Sequence, residues 1–199
     1  MRSGLPVLAA GAGAAAGTLF VLMSRGRVHM DLGWGRSFFP LGPIEVTIAA
    51  PRDLVFDVIQ GAYAERAPAE VRRHIRVLER AGDLVVAEHR TPLRFLDAIT
   101  VETVRFERPS RVEFVLLRGP VPEVRETFQL REDAGRTTLT YEGTLGADLW
   151  VLGRWYGDRV VRPAWDAVVA ASLEQVRAQA EAKARSRGRK ASKPGPPRP

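Results

Sequence analysis

The sequence predicts an α+β domain in which a curved antiparallel sheet of about seven strands wraps around a long C-terminal helix. Apolar residues recur at spacings of three, four and seven from Leu149 to about Arg187, the pattern of a long helix with one broad apolar stripe. Residues from about Pro43 to Leu145 alternate between apolar and polar, as strands do when one face is buried. This stretch and the helix together are sized for one domain with a substantial core.

The elements follow in a simple order: a strand, two short helices, six strands and the long helix. Apolar and polar residues alternate from Ile44 to Ile48 and predict the first strand. Pro51 stands where a helix begins, and Gly61 and Pro68 bracket a second short helix or loop. Pro163 interrupts the last helical pattern and should kink or break it. Turns rich in Gly, Pro, Asp and Ser separate the six later strands, predicted at about residues 71–80, 84–91, 98–107, 111–117, 123–132 and 137–145.

The N terminus carries an uncharged segment long enough to cross a membrane. Leu5 to Met23 contain no charged residue, and as a helix they would span roughly 28 Å, against about 30 Å for the apolar core of a bilayer. We therefore expect residues 1–24 to form a transmembrane anchor and residues 25–42 a linker. More arginines follow the segment than precede it, which by the positive-inside bias predicts a single-pass membrane protein with its domain on the cytoplasmic side.

Two alternatives exist for this segment. Ala14 to Ala16 could form the cleavage site of a signal peptide, although the strongest apolar cluster, Leu19 to Met23, follows that site. The segment could also remain outside the membrane, because most of it is Ala and Gly. In the linker, Trp34, Phe38 and Phe39 either anchor at the membrane interface or pack on the domain.

The basic charge of the chain lies in its C-terminal tail. The formal net charge is +7, and the seven Lys and Arg residues from Lys183 to Arg198 account for all of it. The stretch from Pro43 to Ala182 holds 19 basic and 22 acidic side chains, which argues against a nucleic-acid-binding face. We expect residues 184–199 to form a disordered basic tail that attracts anionic lipid, binds nucleic acid or only keeps the chain soluble.

Strand parity supplies candidate polar groups for an internal site. Glu126 falls on the same face of its strand as Val124, Phe128 and Leu130. An inward carboxylate in such surroundings would have a raised pKa or a cationic partner, both of which are typical of binding pockets. Alternatively, the twist of the sheet leaves Glu126 at a solvated rim.

Other side chains share this inward parity. Tyr141 lies on the same face of its strand as Leu139, and it could orient a ligand or fill the core. His89 lies on the same face of its strand as Ala87, and it could face the cavity or serve a structural role. Tryptophans of the last helix are either core anchors or surfaces on which a ligand stacks. The full set of candidate cavity residues is Glu126, Tyr141, His89, Phe128, Phe114, Trp155 and Trp165.

Several kinds of chemistry lack support in the sequence. There are no cysteines, which excludes disulfides, thiol nucleophiles and cysteine-ligated metals. His29 and His74 have no carboxylate or histidine at the spacing of metal ligands. The sequence contains no Gly-rich phosphate loop, serine nucleophile elbow or paired-acid motif. We therefore expect neither a metal nor a cofactor, and no motif identifies the chain as an enzyme.

Four stretches carry a resemblance to a known superfamily. Ile48–Ile59 looks like its junction between first strand and first helix, and Val104–Val112 like a turn that its members often have. Thr137–Glu142 resembles its last strand, and Leu152–Arg154 with the long helix resembles its C-terminal element. With the order of elements, these stretches resemble the SRPBCC superfamily of helix-grip proteins, which includes START lipid-transfer domains, pollen-allergen-like proteins and the polyketide cyclase/dehydrase group. The resemblance covers about residues 43–183.

This resemblance implies a cavity between the concave sheet and the last helix. It favours a membrane-tethered domain that binds or transports a hydrophobic small molecule, either a lipid or a polyketide-like compound. One alternative is a cyclase, dehydratase or aromatase that uses Glu126, Tyr141 or His89 in acid–base chemistry. Another is a non-catalytic membrane scaffold or sensor with a filled core. Many members have a Pro- and Trp-rich segment after the first helix, where Tyr63–Pro68 stand here, so the mouth of the cavity is expected to differ.

Overall fold

Seven strands form one antiparallel sheet in the computed structural model, which describes residues 17–92 and 97–191. The strands are β1 (Ser37–Ile48), β2 (Ile75–Ala81), β3 (Leu84–Pro92), β4 (Asp97–Glu107), β5 (Arg111–Arg118), β6 (Glu123–Asp133) and β7 (Arg136–Ala147). Their order in the sheet is β1-β7-β6-β5-β4-β3-β2, so the first strand pairs with the last and the others are neighbours in chain order. The predicted α+β class and strand number are confirmed.

The helices are α1 (Arg52–Gly61), α2 (Ala69–His74), α3 (Trp150–Tyr156) and α4 (Arg162–Ala191), with a π-helical turn at Gly157–Val161 between the last two. α1 begins directly after Pro51, as predicted, and buries one apolar face made by Leu54, Val55, Phe56, Val58 and Ile59. α4 packs against both β1 and α1, and it buries Val169, Leu173 and Ala180 at helical spacing. The long helix is thus held against the sheet by one apolar stripe.

Pro163 marks the interruption that the sequence predicts in the last helix. It is the second residue of α4, directly after the π-helical turn, where the missing N–H of proline does least harm. At its other end α4 continues to Ala191, into the segment predicted as disordered. The apolar period stops there, but Ala, Lys and Arg are good helix formers. Residues 192–199 of the predicted tail lie outside the described residues.

Two strands begin at positions that differ from the prediction. β1 starts at Ser37, inside the predicted linker, because residues 37–41 pair with β7. The register shifts between Leu41 and Ile44, and this irregularity disguises the alternation in the sequence. β2 starts at Ile75 rather than near Val71, since the chain after Pro68 forms the short helix α2 first.

The N-terminal residues that can be described pack on the domain. Residues 17–24 are helical, and the ring of Phe20 meets that of Tyr156 edge to face, with 6.2 Å between centroids. Gly26 approaches the backbone of Ile99 so closely that a Cβ atom would lie 2.9 Å from the Ile99 carbonyl oxygen. Within residues 17–92 and 97–191, no helix is long and apolar enough to cross a membrane. Most of the predicted anchor, Leu5 to Met23, lies outside the described residues.

Candidate ligand-binding interior

A buried carboxylate stands at the meeting point of β6, β7 and α4. Glu126 is 9% exposed and lies on the inner face of β6, as its parity predicts. Its Oε1 atom accepts hydrogen bonds from the Tyr141 hydroxyl at 2.5 Å and from Trp165 Nε1 at 2.6 Å. Three candidates from the sequence, one on each element, therefore meet at one oxygen atom.

The backbone of β7 makes room for this carboxylate. Glu126 stands opposite Gly143 in the β6–β7 ladder. A Cβ atom on Gly143 would lie 3.1 Å from Glu126 Cγ and 2.7 Å from the Arg125 carbonyl oxygen. Any larger residue at this position would push the glutamate side chain away from its partners.

The surroundings of Glu126 make it a proton-exchanging group near neutral pH. Burial raises its pKa to about 7, and the negative charge of Glu102 acts in the same direction. The two hydrogen-bond donors, Tyr141 and Trp165, and the charge of His89 oppose this rise. The carboxyl group can therefore both donate and accept a proton close to physiological pH.

A second polar cluster faces the same interior from β3 and β4. His89 Nδ1 lies 3.2 Å from Glu102 Oε2, and His89 Nε2 lies 3.0 Å from the Tyr63 hydroxyl. Thr100 donates to Glu102 Oε1 at 2.6 Å. His89 Nδ1 has no hydrogen bond of good geometry within the described part of the chain, so its contact with Glu102 is chiefly electrostatic.

The charges within this second pair oppose the effect of burial on both pKa values. Burial lowers the pKa of His89, but the Glu102 carboxylate outweighs burial and holds that pKa above its ordinary value. Burial likewise raises the pKa of Glu102, yet His89 and the Thr100 hydroxyl hold it below the ordinary value. Burial, with the charges of Glu102 and Glu126, raises the pKa of Tyr63 well above its ordinary value. Glu102 thus favours the protonated form of the histidine, and burial favours the neutral form of the tyrosine.

The apolar wall of this interior is aromatic. Phe114 stands opposite Glu126 in the β5–β6 ladder, and its ring centroid lies 5.0 Å from that of Phe128. Phe128 in turn lies 5.9 Å from Tyr141, edge to face. These predicted candidates are thus brought together with Glu126.

Trp155 is the one candidate that the structure places elsewhere. It is 59% exposed on α3, so the prediction that it lines the interior is wrong. Trp155 points outward because glycines, Gly153 and Gly157, occupy the inner side of this part of the chain. A Cβ atom on Gly153 would lie 1.5 Å from the Asp148 carbonyl oxygen, and one on Gly157 would lie 2.8 Å from the Phe39 ring. Only glycine permits such close packing, and the large residues of α3 therefore point outward.

Three residues of the site escaped the sequence prediction. Thr100 and Glu102 share the parity of Val104 and Phe106 on β4, so the rule that identified Glu126 could have found them. Tyr63 lies between α1 and α2, and no local pattern predicts its burial.

Two clefts lie on the surface, away from this interior. One of about 530 Å³ is bordered by α2 and the ends of β3 and β4, and its lining includes Arg72, His74 and Arg90. Another of about 470 Å³ lies between β1 and the start of α4, beside Phe38 and Arg162. The carboxylate of Glu126 is instead covered by Trp165, a partly buried residue that reaches inward from α4.

Residues 44–181 match a family model described as polyketide cyclase / dehydrase and lipid transport. The chain belongs to this family. The resemblance to the SRPBCC helix-grip proteins is thereby confirmed over nearly the whole range expected from the sequence. No curated protein is similar enough in sequence to match it.

Solved structures share the fold of this polyketide cyclase / dehydrase family member. Norcoclaurine synthase from Thalictrum flavum has a TM-score of 0.56 at 11% identity, with 75% of this chain and 93% of that chain covered. The protein TTHA0849 from Thermus thermophilus has a TM-score of 0.54 at 15% identity, with 74% and 99% covered. The Zhui aromatase/cyclase from Streptomyces sp. R1128 has a TM-score of 0.51 at 18% identity, with 79% and 98% covered. At these identities the similarity shows the fold alone.

Proposed function

We propose that the domain binds a hydrophobic small molecule with hydrogen-bonding oxygens, lipid or polyketide-like, between its sheet and α4. The observation that carries this proposal is the buried carboxylate of Glu126 on an aromatic wall. A buried carboxyl group costs stability, and an apolar side chain of similar size would serve a purely structural core better. A few convergent polar groups among apolar walls are typical of small-molecule sites. The family description, which names polyketide enzymes and lipid transport, supports the same ligand class.

The two polar clusters define how such a ligand would bind. Among the described residues, both donors to Glu126 bond Oε1, so Oε2 is available to a ligand hydroxyl or carbonyl. The Tyr63 phenol, which is hydrogen-bonded to His89 Nε2, would offer a polar contact at the other cluster. Phe114 and Phe128 would contact the apolar body of the ligand. Trp165 would have to swing away from Glu126 to admit it.

Titration with a neutral fluorescent lipid analogue tests this function on the full chain. Wild type should bind one molecule per chain with an increase in fluorescence. Replacing Glu126 by Leu should weaken binding at least tenfold, because about 1.4 kcal/mol is the scale of one buried hydrogen bond. Glu142→Leu, on the exposed face of β7, is the matched control and should bind like wild type. Absence of uptake by the wild type would contradict the proposal and favour a non-catalytic scaffold.

A second candidate function is acid–base catalysis, as in a cyclase or dehydratase. The geometry that favours it is the buried carboxyl group of Glu126 with Tyr141 and Trp165 at Oε1, where burial raises the pKa to about 7, close to the pH at which such a group exchanges protons best. With a polyketone as probe, mass spectrometry distinguishes the two functions: a carrier returns the compound unchanged, whereas a dehydratase returns it with one water lost. Catalysis should fall in Glu126→Gln.

We also propose that residues 5–23 tether this domain to a membrane, with the domain on the cytoplasmic side. The uncharged segment and the arginines that follow it support the tether, and the basic tail would attract anionic lipid. Extraction of membranes at alkaline pH should leave the full chain in the pellet. Release into the supernatant would contradict a spanning anchor.

A further inference from the structure

The outward side of α3 and the loop before β1 form an exposed apolar surface. We call it the tryptophan face, and it consists of Trp34, Trp150, Val151, Leu152 and Trp155. Val151 is 82% exposed, and each of the others is more than half exposed. Three of the four tryptophans of the chain thus lie on one surface. An apolar cluster of this kind commonly marks an interaction site.

Backbone contacts hold the two parts of this face together. Leu149 N donates to the Trp34 carbonyl at 2.8 Å, and Trp150 N donates to the Gly35 carbonyl at 3.0 Å. The Trp150 indole lies so close to Gly35 that a Cβ atom there would be 2.3 Å from the ring. Leu149 and Trp150 both have positive φ, at 75° and 46°, which is unfavourable for large side chains. The chain therefore accepts backbone strain in order to present Trp150 at the surface.

An ion-pair cluster fixes the base of the face. Arg36 Nε donates to Asp148 Oδ1 at 2.7 Å, and another of its nitrogens donates to Glu123 at 3.0 Å and a third to Asp31. Asp148 Oδ2 also accepts from the backbone N–H of Leu32 at 2.8 Å and of Gly33 at 3.0 Å. The loop that carries Trp34 is thus anchored to the end of β7, and the acidic side chains nearby are occupied by Arg36.

Charge and chain direction indicate what covers the face. Phe20 packs on Tyr156 at the end of α3, so the last residues of the uncharged segment, 17–23, reach the helix that carries this face. Arg154 on α3 is exposed, as are Arg25 and Arg27, which follow the uncharged segment in the chain, and none has an ion pair within residues 17–92 and 97–191. Tryptophans with adjacent unpaired arginines suit the boundary between acyl chains and anionic headgroups. A bilayer would explain why the uncharged segment of the sequence ends against the same helix, whereas a protein partner would not.

We propose that the tryptophan face is a docking surface for an anionic lipid bilayer. The domain then lies against the membrane in a fixed orientation, whether or not residues 5–23 span it. The face shares no residue with the interior around Glu126, so docking and ligand binding are separate properties.

Single cysteines provide the test, because the chain has none of its own. Val151→Cys, labelled with a nitrobenzoxadiazole fluorophore in the full chain, is reconstituted into vesicles of phosphatidylcholine and phosphatidylglycerol. Its emission should shift to the blue and be quenched by brominated lipids. Leu78→Cys on β2, where the native residue is an exposed apolar one, is the control and should show neither change. A domain that is only tethered would leave both labels in water, and that result would overturn the proposal.

Two further measurements make the result specific. Adding Leu152→Glu to labelled Val151→Cys should reduce the quenching several-fold, since it places a charge among the apolar contacts. A blue shift that grows with protein concentration in the absence of lipid would identify a second copy of the chain as the occupant, and would also overturn the proposal. Uptake of the lipid analogue by Val151→Cys should equal that of wild type, which separates a failure of docking from a failure of ligand binding.

Discussion

At Glu126, burial and hydrogen bonding act in opposite directions on one carboxyl group. Burial and the Glu102 charge favour the protonated form, whereas Tyr141, Trp165 and the positive charge of His89 favour the ionised form. Burial is the larger effect, and the pKa settles at about 7. At physiological pH the Glu126 carboxyl group can therefore offer a ligand either a hydrogen-bond donor or an acceptor.

Stability should fall as the pH rises through the window between the ordinary pKa of Glu126, 4.5, and its folded value of about 7. In that window the folded chain holds the proton more tightly than the unfolded chain does. The loss should reach about 3 kcal/mol above pH 7, because each pKa unit corresponds to about 1.4 kcal/mol. Denaturant unfolding of wild type and Glu126→Gln checks this: the advantage of the glutamine variant should grow with pH. A constant difference would contradict it.

Tyr141→Phe should make Glu126 harder to ionise. The variant removes one of the two donors to Oε1 and keeps the aromatic ring, so the pKa of Glu126 should rise further and the protein should lose about 1–3 kcal/mol at neutral pH. Tyr156→Phe is the control, because its hydroxyl makes only a long contact of 3.4 Å with the Pro120 carbonyl. The two variants are compared by denaturant unfolding, and equal losses would argue against the role of Tyr141.

The sequence predicts the orientation of single residues correctly where the alternation of a regular strand determines which face a side chain lies on. Glu126 and Tyr141 face inward because their strands alternate regularly and their neighbours are apolar. The contact between His89 and Glu102 depends on the register of β3 against β4, which no local pattern contains. Trp165 reaches Glu126 because α4 lies at a particular height above the sheet, and periodicity gives only the face of a helix.

At the scale of elements, α3 links the interior to the tryptophan face. The side of α3 that carries Gly153 packs against the end of β7, and the side that carries Trp155 is exposed. The apolar pattern of α3 and α4 together predicts one buried stripe, which places Trp155 inside. The sequence cannot distinguish these two faces, since a helix can pack on its glycines as well as on its large residues. The sequence also did not predict that β1 starts at Ser37, because Gly42 and Pro43 interrupt the alternation of apolar and polar residues in this strand.

Gly153→Ala tests the close packing of α3. The added Cβ atom would collide with the Asp148 carbonyl oxygen, so the helix must move, at a cost of about 1–3 kcal/mol. Gly188→Ala in α4 is the matched control, because nothing among the described residues lies within 4 Å of its Cβ position. That variant should be neutral or stabilising by about 0.5–1 kcal/mol, the usual gain when Ala replaces Gly in a helix. Equal effects in thermal unfolding would contradict the packing described for α3.

At the scale of the whole molecule, the tryptophan face and the end of the uncharged segment meet at α3. The formal charge of the folded body is slightly acidic, yet Arg154 on α3 and the two arginines that follow the uncharged segment, Arg25 and Arg27, are exposed and have no ion pair within the described residues. Of the uncharged N-terminal segment, Phe20 contacts Tyr156 at the end of α3. A bilayer on that side would contact the tryptophan face and Arg154 together.

Docking should therefore weaken when these arginines are neutralised. Arg25→Gln with Arg27→Gln should lower the docked fraction, measured by quenching of the label at position 151, by about fivefold per charge, because each cation near an anionic surface contributes about 1 kcal/mol. Arg72→Gln with Arg73→Gln, beside the cleft at α2, removes the same charge elsewhere and should have no effect. Equal effects of the two pairs would show that only total charge matters.

The interior beside Glu126 should hold a largely apolar molecule if the proposed function is right. Native mass spectrometry of the full chain, followed by solvent extraction, tests it most directly. We predict one bound compound of defined mass that carries hydroxyl or carbonyl oxygens, and loss of that compound in Glu126→Leu but not in Glu142→Leu. A clean mass of the chain alone, with no uptake from a mixture of lipids, would contradict the claim and leave a scaffold with a filled core.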